Sequence, residues 1–483
     1  MKTLLTDLYQ LTMAYGYFRS GLMNHEAVFH LFFRRNPFQG GYAVAAGLAN
    51  AIELIENFRF DKGDLDYLAS LKGDDNKALF DKEFLQYLKK LKLTVDVDAV
   101  PEGTVVFPQE PLIRIKGNLI HCQLLETILL NSINFPTLIA TKASRICYAA
   151  KGEPVLEFGL RRAQGFDGGL TASRAAYIGG CAGTSNVLAG KYYDIPVKGT
   201  HAHSWVMAFP SEIESFERFV SAMPNNCYLL ADTYNTLEGV RKAAKIGIKL
   251  KQQGRHLAGI RLDSGDLAYL SIKARKILDQ AGLKNTHIMG SNDLDEHIIA
   301  SLKEQKAKID VWGVGTKLAT AFDQPALDGV YKLGAIRAPK GKWAYKLKLS
   351  EQNAKSSTPG ILRTRRFFNR NHTAIADCIY DEQLGMPENT QIIDMFDPTR
   401  RIKISKTSKS EHEELLHPIF KHGKNVYKIP AIIQSRQRTI EQLDLFHPAI
   451  RRFLNPHSYP VGLEKNLYEL RTELILKARE MAA

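Results

Sequence analysis

Cysteine is scarce. There are five in 483 residues, Cys122, Cys147, Cys181, Cys227 and Cys378, an odd number with no CxxC pair. That argues against a disulfide framework and a thiolate zinc site, and for a reducing compartment. Long apolar runs are missing too. The longest, near Leu119–Ile133, carries His121, Gln123, Glu126 and Asn131, and reads as too short and too polar to span a bilayer. Met1-Lys2-Thr3-Leu4-Leu5 imitates the start of a signal peptide, but Asp7, Gln10 and Thr12 interrupt it. The expected location is cytoplasmic, with no membrane partner. No solenoid-type repeat, low-complexity basic tail or nucleic-acid-binding signature is visible. The last absence matters because 65 Lys and Arg against 51 Asp and Glu give a net charge of +14. Basic clusters occur at Arg363-Thr364-Arg365-Arg366 and Arg400-Arg401-Ile402-Lys403. Without a nucleic-acid motif, the excess points to anionic small molecules.

The length fits two or three domains, and a 45% hydrophobic share supports a large core. The N-terminal part is mixed. Leu8–Phe18 reads as a helix and Ala27–Phe33 as a strand. Leu93–Val97, Val105–Phe107 and Leu112–Ile115 follow as short strands around the turn Pro101-Glu102-Gly103. A long apolar helix is expected near Leu119–Ile133, with Pro136 in the first turn of the next helix.

From residue 150 to about 320, short apolar runs alternate with amphipathic helical patterns. The runs are Val155–Phe158, Ile195–Val197, Cys227–Ala231, Leu257–Leu262, Thr286–Met289 and Ile309–Val314. Between them lie helical patterns at Leu170–Ile178, Ile213–Met223, Leu237–Leu250, Leu267–Gln280 and Leu294–Gln305. This spacing means parallel βαβ units, and six clear strands imply an irregular or incomplete α/β barrel. After about 340 the pattern decays, leaving a strand at Lys342–Leu349 and a helix near Leu463–Met481. The expected domains are a β-rich α+β unit, 1–117 with 341–483, and a barrel, 118–340.

Every strand of such a barrel ends in polar residues, where its active site belongs. Gly159-Leu160-Arg161-Arg162 supplies guanidiniums for carboxylate or phosphate. In Gly199-Thr200-His201-Ala202-His203-Ser204 the two histidines fall on one side of an extended segment. They suit a metal pair or acid/base and nucleophilic work. The further metal ligands are missing, since His256 and His287 precede their strands and His297 lies in a helix. Arg261-Leu262-Asp263-Ser264-Gly265-Asp266 sets two carboxylates in one turn. They could orient a ribose, hold Mg²⁺ beside a pyrophosphate, stabilise an oxocarbenium-like centre, or cap a helix. Gly290-Ser291-Asn292 and Gly313-Val314-Gly315-Thr316 are candidate phosphate loops.

With these motifs, and with Leu5-Thr6-Asp7-Leu8-Tyr9-Gln10 at the start, the chain resembles the nicotinate phosphoribosyltransferases as far as at least Pro359-Gly360. The resemblance implies a type II phosphoribosyltransferase fold and a homodimer with active sites shared between subunits. It implies transfer from phosphoribosyl pyrophosphate to nicotinate, giving nicotinate mononucleotide and pyrophosphate. ATP is a co-substrate, consumed through a phosphohistidine at His203, and Mg²⁺ accompanies pyrophosphate near Asp263 and Asp266. Tyr9, from the partner subunit, and Phe158 stack on the pyridine ring. Arg161 and Arg261 face the nicotinate and phosphates, and Asp263 the ring and ribose. Gly199, Thr200, Ser291, Asn292, Gly315 and Thr316 complete the substrate site. Amide-using relatives carry an Asp after the first rim helix; Gly183-Thr184-Ser185-Asn186 has none, which favours the acid. The rival readings are a nicotinamide phosphoribosyltransferase, a metal-dependent barrel hydrolase and a basic nucleic-acid-binding protein.

Overall fold

The computed structural model describes residues 3–350, 356–404 and 411–481. The chain divides into two compact units, Met1–Leu138 with Ala326–Ala483, and Ile139–Pro325. The expected domain segments also include 1–2, 351–355, 405–410 and 482–483, which lie outside the described residues.

The first unit combines helices with sheets whose strand pairs are antiparallel, apart from Ala374–Asp381 with Val461–Glu464. Its seven-stranded sheet runs Ala344–Tyr345, Gly329–Arg337, Glu26–Phe33, Ile113–Asn118, Asp96–Ala99, His417–Lys421 and Lys424–Asn425. Segments from both ends of the chain thus share one sheet. Glu26–Phe33 is buried along nearly its whole length. This is why the strand reads as an apolar run instead of an alternating one. A six-stranded sheet follows, in the order Arg401–Ile404, Thr390–Asp394, Val461–Glu464, Ala374–Asp381, Leu362–Phe368, His412–Glu414. The sequence reading missed this sheet. The strand expected at Lys342–Leu349 shrinks to Ala344–Tyr345, while the C-terminal helix forms over Lys465–Glu480.

Helices Leu119–Leu124 and Glu126–Ala149 occupy the apolar stretch. Pro136 lies inside the second helix and does not open a new one. Proline cannot donate to the carbonyl four residues earlier, and the backbone of Gly47 packs there. A Cβ at Gly47 would stand 1.9 Å from the Ser132 oxygen, and its φ is +101°. By length and composition Leu119–Ala149 could cross a membrane, contrary to expectation. Yet 67% of its most apolar window is buried inside the protein, as in a core helix.

The second unit carries a six-stranded parallel sheet that curls as a half-barrel. Its order is Gly183–Thr184, Val155–Glu157, Val311–Val314, His287–Asn292, Gly259–Leu262, Tyr228–Leu230. The first strand in sequence therefore pairs with the last. Five of the expected runs form strands. The sixth, Ile195–Val197, contributes one bridge from Val197 to Thr184, and Gly183–Thr184 was not foreseen. The inward face is layered. Leu156, Met289 and Val311 form an apolar floor with Tyr228, whose ring lies over Gly259, 2.3 Å from where a Cβ would stand.

Burial holds several histidines neutral in the first unit. His30, on Glu26–Phe33, accepts the Leu362 N–H at 3.1 Å, and its pKa falls to about 3, first through desolvation and then through Arg114. Desolvation brings His121 to about 4. Unfolding restores pKa values near 6.5, so the unfolded chain binds protons that the native chain refuses. This stability is complete above pH 6.5 and is lost as pH falls, down to about 4 for His121 and about 3 for His30. Each such histidine should contribute a slope of roughly 1.4 kcal/mol per pH unit below its unfolded pKa. Urea denaturation from pH 7.5 to 5 reads it, and His30→Gln should reduce the proton uptake by about one. An unchanged uptake would show that His30 is not buried neutral.

Candidate functional site

The C-terminal strand ends of the parallel sheet gather a compact polar cluster. Strand pairing sets Arg261 opposite Met289 and Ser291 opposite Gly313, so Arg261, Ser291 and Gly313 share the inward face. The Arg261 guanidinium donates from Nε to Ser291 Oγ at 2.8 Å, from Nη1 to Thr200 Oγ1 at 3.2 Å and from Nη2 to Asp263 Oδ1 at 2.7 Å. The Ser291 hydroxyl in turn donates a hydrogen bond to Asp263 Oδ1 at 2.5 Å. Arginine has five N–H donors, so Nη1 and Nη2 each keep one, and Asp263 keeps Oδ2.

Above this cluster lies Phe158. Its ring rests on Gly313, where a Cβ would stand 2.9 Å from two ring carbons, and Arg261 Cζ is 5.8 Å from its centroid. A half-exposed aromatic face beside a guanidinium suits a planar anionic ligand.

The two histidines separate. His201 is buried, and its Nε2 accepts the Leu230 N–H at 3.1 Å. The neutral ring therefore carries its proton on Nδ1, 3.3 Å from the Ala202 oxygen. Desolvation lowers its pKa. Both nitrogens are engaged, which removes the one-sided metal pair suggested by the spacing. Among the described residues no group of three or more His, Cys, Asp or Glu could hold a metal ion alone. His203 opens the short helix His203–Met207 with its side chain 40% exposed. Its Nδ1 is 3.1 Å from Thr233 Oγ1 and its Nε2 3.9 Å from Asp263 Oδ2, so Nε2 remains accessible.

Two acids that sequence reasoning did not select support the cluster. Asp232 Oδ2 accepts the Asp263 N–H at 2.9 Å and the Ser264 hydroxyl at 2.6 Å, while its buried Oδ1 has no hydrogen-bond partner among the described residues. Glu157 is buried and accepts from the Gly159 N–H, from Ser173 at 2.8 Å and from Thr184 at 2.6 Å. It fixes the turn that presents Phe158. Both acids stood in the sequence at strand ends. The signal they offered was position alone.

The remaining expected residues are distributed as follows. Arg161 is solvent-exposed on the turn Leu160–Arg162, with no ion-pair partner among the described residues. Gly199 is tied through its carbonyl to Asn226 Nδ2 at 3.1 Å. Asn292 holds φ +136°, a backbone strain at a strand end. The helix after it begins only at Glu296, and Asp295 caps it, accepting the Ile298 N–H and pairing with Lys317. That helix start is thus closed by protein. The start at Thr316, with Gly315 as its cap residue, has no side-chain cap. Asp266 is exposed and caps Leu267–Gln280 through the Tyr269 N–H at 3.0 Å. Tyr9 belongs to the other unit, on helix Leu8–Arg19, its hydroxyl 3.2 Å from Glu126.

Models of three families match this chain: the nicotinate phosphoribosyltransferase N-terminal domain over residues 4–134, the nicotinate phosphoribosyltransferase family over 154–375, and its C-terminal domain over 363–471. A nicotinate phosphoribosyltransferase of Bacillus subtilis is 44% identical over 97% of this chain and 94% of its own length. The Caenorhabditis elegans protein of that name is 36% identical over 97% and 92%. The crystal structure of human nicotinic acid phosphoribosyltransferase superposes with a TM-score of 0.84 at 31% identity, covering 97% of this chain and all of that one.

Alanine at 313 would push into the Phe158 ring and stand 3.3 Å from Ser291 Cβ. Gly313→Ala should cost about 1–3 kcal/mol of stability. At Gly199 a Cβ meets nothing within 4 Å, so Gly199→Ala should stay within about 0.5 kcal/mol of the parent. Equal effects in urea denaturation would show that the ring does not rest on Gly313.

Proposed function

The chain belongs to the nicotinate phosphoribosyltransferase family, and we propose that it transfers the phosphoribosyl group of phosphoribosyl pyrophosphate to nicotinate with consumption of ATP. The observation that carries the reading is the Arg261–Asp263–Ser291 cluster beneath Phe158, with His203 Nε2 open beside it.

Displacing pyrophosphate from the anomeric carbon builds positive charge on the ribose and negative charge on the leaving group. The Asp263 carboxylate supplies a fixed negative charge for the first. The spare N–H groups of Arg261, one on each Nη, form a fork for the nicotinate carboxylate. Phe158 offers one face to the pyridine, and Tyr9 of the partner subunit the other. Exposed Arg161, with Gly199, Thr200, Asn292, Gly315 and Thr316 around the rim, takes phosphate. Magnesium fits as a phosphate-bound ion with few protein ligands. Asp232 Oδ1 and Asp263 Oδ2 are the uncommitted oxygens, and Mg²⁺ commonly takes one or two carboxylates, waters and phosphates. When bound it would neutralise pyrophosphate charge. Asp266, which caps its helix, is the weaker candidate ligand.

The proposed ATP step places the phosphoryl group on His203. The γ-phosphoryl of ATP passes to Nε2 and ADP leaves; water later removes it as phosphate. His201, with both nitrogens bonded, supports His203 as the acceptor. A homodimer is proposed because apolar side chains stand in solvent, among them Leu5, Leu8, Tyr9 and Met13 in one unit and Phe166, 96% exposed, with Val187 and Tyr192 in the other. The five free cysteines agree with a cytoplasmic location.

Incubation with nicotinate, phosphoribosyl pyrophosphate and ATP should give nicotinate mononucleotide, pyrophosphate and ADP. Nicotinamide leaves the arginine fork incompletely paired. Its efficiency should be lower by about two to three orders of magnitude, corresponding to 2–5 kcal/mol for a truncated buried charge pair. Equal use of both would overturn the substrate reading. In parallel, γ-labelled ATP should label the wild-type protein on histidine and leave His203→Ala unlabelled; persistent label in that variant would place the phosphoryl group elsewhere.

A further inference from the structure

A cavity lies wholly within the first unit. It has a volume of about 790 Å³ and sits on the six-stranded sheet, between the Thr390–Asp394 and Arg401–Ile404 hairpin and the segment 452–462. None of the strand-end residues described above lines it. Three arginines do, Arg400, Arg401 and Arg452, with His457 and Tyr459.

The charge of this cavity is unbalanced from within. Its one acid is Asp394, whose Oδ1 is occupied by the Phe396 and Asp397 N–H groups at 2.8 and 3.0 Å. Arg400 meets Asp397 at 3.6 Å in an exposed pair, a contact worth little. Arg401 donates Nε to the Pro398 oxygen at 2.8 Å, and its Nη groups have no hydrogen-bond partner among the described residues. Arg452 has no side-chain partner among the described residues. The far wall is rigid: Tyr459 bonds Asp377 at 2.9 Å and stacks on Phe107 with ring centroids 4.3 Å apart.

Three like charges around one concavity repel unless an anion joins them. Planar forks of this kind match phosphate oxygens. The volume far exceeds one phosphate group and falls within the range of small-molecule sites. We propose that this cavity is a binding site for a phosphorylated small metabolite, its phosphates held by Arg400, Arg401 and Arg452 and its organic part seated toward Tyr459. The concave shape favours a small ester over a nucleic-acid backbone.

The test reads the site itself, so it is independent of catalysis. The full-length protein is treated with phenylglyoxal, and modification of each arginine is followed by peptide mass spectrometry. ADP or ribose 5-phosphate should slow modification of Arg400, Arg401 and Arg452 about tenfold, the equivalent of one charge-assisted hydrogen bond. Adenosine should not. Arg452→Ala should lose the protection at Arg400 and Arg401 while nicotinate turnover is unchanged. Absence of protection by both esters overturns the proposal. Equal protection by inorganic phosphate overturns the assignment of an ester, and protection by an RNA oligonucleotide alone overturns the small-molecule class.

Discussion

The parallel register of the Gly259–Leu262, His287–Asn292 and Val311–Val314 strands is the constraint on which the site depends. Pairing of Arg261 with Met289 and of Ser291 with Gly313 puts a charged side chain, a hydroxyl and an empty position on one face, the last two a step further along the strands. Because side chains alternate along a strand, a slip of one residue would turn all three outward. The apolar floor resists that slip. Met289, Val311 and Leu156 would have to leave the interior together. The register that buries the core therefore also aims the guanidinium, and packing of the lower layer organises the chemistry of the upper one.

Glycine completes the arrangement by subtraction. Gly259 makes room for the Tyr228 ring in the lower layer and Gly313 for the Phe158 ring in the upper layer. The upper ring stays half-exposed because the residues beyond it are strand-end loops. Polar groups there fall into two sets. Ser291, Thr200, Asp232, Glu157 and His201 are tied by hydrogen bonds to neighbouring side chains or to backbone, and so hold geometry. Asp263 Oδ2, the spare Arg261 N–H groups and His203 Nε2 remain open. The second set is available to a ligand, and the first fixes where it stands.

Much of this was legible in the sequence. The βαβ spacing gave five of six parallel strands, because strands buried on both faces read as apolar runs ended by Gly, Asp, Ser or Arg. The motifs at those ends contained Arg261, Asp263, Ser291, Phe158 and His203. The choice between His201 and His203 was not available from spacing. It depends on whether a backbone N–H from Leu230 reaches one ring, a contact across 29 residues. Asp232 and Glu157 were hidden for the same reason: their partners are distant in sequence. Pro136 misled because local preference for a helix start yields when a neighbouring backbone occupies the broken turn.

The six-stranded sheet was hidden by something different. Leu362–Phe368 reads Leu-Arg-Thr-Arg-Arg-Phe-Phe, and a run with three arginines looks like surface. In the fold Arg366 is fully buried. Its Nη2 donates to Asp377 at 2.6 Å and to the Val105 carbonyl at 2.9 Å, and its Nη1 to Gln442 at 3.0 Å. Glu110 stands in the same interior, its pKa pushed well above the usual range first by burial and then by Asp377. One well-bonded ion pair is what a low-dielectric interior tolerates; three separate charges are not. A hydrophobic pattern cannot report a core built in this way, since its central member is the most polar side chain in the strand. The cavity lined by Arg400, Arg401 and Arg452 is the complementary case. There the arginines face solvent without enough carboxylates, and the difference between the two clusters is the difference between a guanidinium that completes a fold and one that is left for a ligand.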